Sequence, residues 1–76
     1  MLRYRLIRDD GIVKIFEKNE FYEIYEYICE KIFNEDVRTC DSQIHQEAQE
    51  AQSWCELAGI GEVYEGNGFE IEVISN

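Results

Sequence analysis

The two ends of this chain alternate in hydrophobicity, and its middle does not. Residues 2–8, LRYRLIR, place Leu2, Tyr4 and Leu6 on one side and Arg3, Arg5 and Ile7 on the other. Residues 69–74, FEIEVI, set Phe69, Ile71 and Val73 against Glu70, Glu72 and Ile74. A period of two marks a half-buried strand, because successive side chains of an extended backbone point to opposite faces. Asp10-Gly11 is a hairpin turn signal. The β-branched run IVKIFE at 12–17 reads as the returning strand. Residues 62–65 and 69–74 form a second hairpin around Gly66-Asn67-Gly68.

The period between the hairpins is helical. Asn19 is expected to cap a helix running from Glu20 through Phe33, with acids in its first turn where the helix dipole favours them. Phe21, Ile24, Tyr25, Ile28 and Ile32 share one face of it. Glu23, Glu26 and Glu30 lie opposite, with Tyr27 near them. A polar connection at 34–40 leads to a second helix, from Asp41 or Ser42 to about Ala58. Its stripe is narrow: Ile44, Ala48, Ala51, Cys55 and Ala58, flanked by Trp54 and Leu57. Small residues there let a neighbouring element approach closely. Gly59 is expected to be the left-handed residue that ends the helix.

The order ββααββ implies an α+β fold: a four-stranded antiparallel sheet with two helices packed on one face. A chain of 76 residues holds one domain and one modest core. The 13% aromatic content helps fill that core. Arg3 and Arg5 point outward from the first strand, and Glu70 and Glu72 point outward from the last. Pairing opposite charges across a ladder favours these strands as neighbours.

The formal charge is −10, from 17 acids against 7 bases. Residues 1–18 carry five bases and three acids, whereas residues 19–76 carry two bases and 14 acids. Such a surface repels nucleic acid and anionic membranes and attracts basic partners. The segment Met1-Leu2-Arg3-Tyr4-Arg5 lacks the apolar core of a signal peptide, and no run is long enough for a membrane span. Cys29, Cys40 and Cys55 form no CxxC pair. Their odd number suits a reducing compartment, so a cytoplasmic location in a bacterial host is expected.

Candidate chemistry is sparse. His45 has Asp41 one turn earlier as an orienting carboxylate, but no oxyanion turn or second polar cluster accompanies it. Cys40, Asp41 and His45 are too few for a structural zinc site. The Gly66-Asn67-Gly68 turn precedes no helix and no lysine, so it is not a phosphate loop. No enzyme, cofactor or metal is expected. The sharper feature is acidic: Glu23, Glu26, Tyr27, Glu30, Glu35, Asp36, Glu47 and Glu50 are the candidate partner-binding residues. Their carboxylates could be spread like the phosphates of a nucleic-acid strand. The plain alternative is a solvated helix face.

Residues 53–74 contain W-x-x-L-A-x-I-G followed by YEG-x-x-F. This pattern resembles the ending of small acidic proteins from phages and mobile elements of gut Firmicutes. The resemblance carries over no functional residue. It implies a phage accessory protein, a class that includes anti-CRISPR inhibitors of host defence nucleases. The expected function is therefore to block a basic nucleic-acid-binding site on a host protein. A homodimer formed through the helices or an edge strand is the alternative.

Overall fold

The computed structural model describes residues 2–36, 38 and 41–75. Strands β1 (Leu2–Arg8) and β2 (Val13–Glu17) precede helix α1 (Phe21–Tyr27), which runs into a π-helical turn at Ile28–Ile32. Helix α2 (Ser42–Leu57) leads to strands β3 (Val63–Glu65) and β4 (Phe69–Ser75). The strands form one antiparallel sheet in the order β2-β1-β4-β3. This is the α+β architecture expected from the alternating ends. Tyr4, Leu6, Phe16, Phe69, Ile71 and Val73 line one face of the sheet and bury against Ile24, Ile28, Ala48, Ala51 and Cys55. Both helices therefore cover the same face.

The first and last strands are central neighbours, as their charges suggested, but the pairing is more selective. Arg5 stands opposite Glu72 and forms an ion pair with it. Arg3 faces Ile74 on β4, and instead binds Glu17 across β2 at 2.7 Å. Glu70 faces Ile7, so it meets no arginine across the ladder. The β1–β2 turn follows from Gly11, whose φ of 91° closes a three-residue loop. Gly11 N donates to Arg8 O, and Arg8 N donates to Ile12 O, both at 2.9 Å.

Three local expectations are corrected. Glu20, not Asn19, stands at the start of α1, and no side chain caps it; the Glu20 carboxylate instead accepts from Glu17 N at 2.7 Å. The α-helical period stops at Tyr27. A wider π turn follows, in which Ile28 and Cys29 are both buried, Cys29 on the flank of the apolar face four residues after Tyr25. Phe33 N reaches Ile28 O at 3.1 Å, and Asn34, at φ 58°, then reverses the chain. Gly59 is not left-handed: α2 ends because Ala58 turns extended, with φ −77° and ψ 149°, which buries its methyl. The positive φ falls two residues later, on Gly61 at 90°.

Helix α2 is well terminated at both ends. Asp41 caps it by accepting from Ile44 N at 3.0 Å. The last carbonyls of a helix lack intrahelical partners. Here the Tyr4 hydroxyl donates to Cys55 O at 3.0 Å, fixing the end of α2 to the central strand. The alanine stripe makes that reach possible, because no large side chain separates helix from sheet. Gly66 is also required: a Cβ there would lie 2.3 Å from the Phe69 ring.

Candidate functional site: an acidic surface in two blocks

The structure separates the eight candidate residues. Glu23 and Glu30 are exposed on α1 and the π turn, and Glu26 is half-buried beside them. Glu35 and Asp36 follow, both exposed. Asp36 is partly neutralised, since it accepts from Arg38 N at 2.8 Å and pairs with the Arg38 guanidinium at 3.6 Å. These five acids make the first block.

Glu47 and Glu50 belong elsewhere. They share a face of α2 with Trp54, which packs on Tyr64 of β3 with ring centroids 5.5 Å apart. Burial pushes the Tyr64 phenol above its ordinary value, and the Glu50 and Glu47 carboxylates add to that shift. This second block therefore faces the β3 edge, on the side of α2 away from α1.

Tyr27 is displaced from the surface role. Its ring meets Phe16 edge-on, with centroids 5.5 Å apart and planes at 78°, and it packs against the core. Tyr27 is the last residue of α1, directly before the π turn, and its ring lies on the flank of the helix nearest Phe16 of β2.

A seam lined by no carboxylate runs between the two blocks. Tyr22 and Tyr25 of α1 face His45, Gln49 and Gln52 of α2 across a groove that Arg38 also lines. Tyr22 stacks on Tyr25 at 6.1 Å, and Tyr25 on His45 at 5.7 Å. The Tyr25 hydroxyl and His45 Nδ1 share a hydrogen bond. His45 is thus oriented by a tyrosine of the other helix rather than by Asp41, whose carboxylate is occupied as a cap. The sequence did not disclose this contact, because it joins side chains 20 positions apart.

The remaining chemistry is limited. Burial pushes the Cys55 thiol up to about 12, with Glu56 contributing, so it stays protonated at neutral pH. Cys40, a member of the Cys40–Asp41–His45 set, lies outside the described residues. Among the described residues, no three His, Cys, Asp or Glu side chains are grouped to hold a metal. No helix among them is long and apolar enough to cross a membrane.

The charge balance of the sheet explains why the helices dominate the acidic surface. Arg3, Arg5 and Arg8 are engaged by Glu17, Glu72 and Asp10, respectively. The Glu17 carboxyl is held below the usual range by its hydrogen bond to Arg3. With Arg38 held by Asp36, four of the seven bases pair with neighbouring acids among the described residues. No protein-family model, curated protein or solved structure matches this chain.

Proposed function

We propose that this protein is a non-enzymatic accessory protein of a phage or mobile element that binds a basic, nucleic-acid-binding surface of a host defence protein. The observation that supports it most is the pairing of the β1 arginines within the hairpin and sheet, which leaves the helical carboxylates largely uncompensated. The first acidic block, centred on Glu23, Glu26 and Glu30, is the principal contact. Its carboxylates compete with phosphates for lysine and arginine side chains. The phage setting rests on the resemblance carried by residues 53–74, and a CRISPR effector is the defence protein it favours.

The test uses guide-loaded CRISPR effectors and measures their DNA binding as purified protein is added. Inhibition that weakens steeply with salt is expected, because charge–charge contacts are screened. Glu23→Lys, Glu26→Lys and Glu30→Lys together should abolish it. Undiminished inhibition by that triple variant would remove the first block from the contact. The free edge of β2, where Val13 and Ile15 are exposed, favours a second reading as a self-pairing assembly protein. Sedimentation at high concentration distinguishes it: a strict monomer rules it out.

A further inference from the structure

The corner after α2 presents two large aliphatic side chains to water on a braced backbone. Leu57, the last residue of α2, is 90% exposed, and Ile60 is 64% exposed. Single exposed aliphatics are ordinary on a protein surface. These two lie three positions apart, on a segment whose backbone is tied down at Ala58, Gly59, Gly61 and Glu62. Ala58 N donates to Trp54 O at 2.9 Å, and the Ala58 methyl is buried between them. Gly59 N donates to the Glu62 carboxylate at 3.2 Å, and Glu62 N donates back to Gly59 O at 3.2 Å. Gly61 N donates to Val73 O at 3.0 Å, and Val73 N donates to Glu62 O at 3.0 Å. The corner is therefore held against β4 while Leu57 and Ile60 project from it. A braced anchor loses little conformational freedom on binding, which is what makes such a residue effective at an interface.

The surrounding charge selects the partner. Glu56 precedes Leu57, Glu62 follows Ile60, and no lysine or arginine follows Arg38 in the chain. Glu50 and Trp54 line the shallow groove that ends at Leu57. A second copy of the chain would bring the same uncompensated acids to the contact, and an anionic bilayer would be repelled likewise. We infer that Leu57 and Ile60 are hydrophobic anchors that seat in an apolar pocket edged with lysine and arginine on a partner protein. The sign of that pocket's rim rests on the proposed acidic-surface reading; the anchor itself rests on exposure and bracing.

Two synthetic peptides of equal length and charge test it, one of alternating leucine and lysine blocks, the other of lysine spaced by glycine. Binding is followed by the fluorescence of Trp54 and by backbone amide shifts. The leucine–lysine peptide should bind at least about tenfold tighter, the gain expected from burying one large aliphatic side chain. Its amide shifts should centre on residues 57–60. Leu57→Ser with Ile60→Ser should erase that advantage while leaving the fold unchanged, since neither side chain is in the core. Affinity of the double variant within about twofold of the parent would overturn the inference. So would dimerisation, or flotation with neutral phosphatidylcholine vesicles, that the double variant abolishes. Absence of salt-dependent binding by the lysine–glycine peptide removes the acidic-surface reading, and the anchor is then decided by the serine variant alone.

Discussion

Helices α1 and α2 cover the same sheet face with different materials. Helix α1 and its π turn bury large aliphatics, Ile24 and Ile28, and place tyrosines on both flanks: Tyr27 against Phe16, Tyr25 against His45. Helix α2 buries Ala48, Ala51, Cys55 and Ala58, and draws close enough for Tyr4 to hydrogen-bond its backbone. The first helix is thus fixed by side-chain packing, the second by close backbone approach and capping. Their outer surfaces diverge too. The first presents carboxylates over a packed aromatic flank, whereas the second ends in exposed aliphatics within an acidic surround. Two amphipathic segments with the same task therefore need not offer a partner the same chemistry.

The contrast is broken most strongly at Ile28. Ile28→Ala removes a fully buried side chain at the π turn and should cost about 2–5 kcal/mol in denaturant unfolding. A smaller loss would mean that the turn relaxes to regular helix and closes the cavity. On the α2 side, alkaline titration is the corresponding probe. The raised Cys55 thiol gives stability that is complete below about pH 9 and lost as pH rises toward about 12. Tyr4, raised chiefly by burial, acts in the same direction above its ordinary value of 10.0. Cys55→Ala should flatten the alkaline loss, read by circular dichroism against pH; an unchanged profile would leave the buried phenols of Tyr4 and Tyr64 as the main groups.

Smaller effects sharpen the comparison. Tyr4→Phe leaves Cys55 O buried without its donor and should cost about 1–3 kcal/mol, with faster amide exchange at the end of α2 and not in α1. Asp41→Ala removes the only N-terminal side-chain cap among the described residues and should cost about 0.5–2 kcal/mol, with fraying confined to the first turn of α2. Replacing Glu23, Glu26 and Glu30 by lysine should alter thermal stability least, within about 0.5 kcal/mol for each surface site, while changing partner binding most.

Much of this was legible in the sequence because it depends on neighbours. Alternation at residues 2–8 and 69–74 assigns inward and outward faces, since strand geometry fixes them two residues at a time. The start of α2 near Asp41 or Ser42 was legible too, although the sequence offered the Asp41 carboxylate to His45 and the structure uses it as the cap. The adjacency of β1 and β4 was legible as well, from the opposite charges on their outer faces. The choice between partners was not. Arg3 could meet Glu17 or a glutamate of β4, and only the register, which sets it opposite Glu17 and Ile74, decides it.

By itself, then, the sequence determined the elements, the layer order and the overall acidity, all carried by local spacing and composition. The tertiary structure alone decided three things. It widened the helix at Ile28–Ile32, where Phe33 N bonds to Ile28 O five residues back, a change of pitch that no local spacing announces. It divided the carboxylates into two blocks, because Glu47 and Glu50 face β3 across Trp54 and Tyr64. It left Leu57 and Ile60 in water, because the extended turn at Ala58 directs its own methyl to the core and the flanking aliphatics away from it. Each depends on which remote surface a residue meets, and the local periodicity contains no distance to that surface.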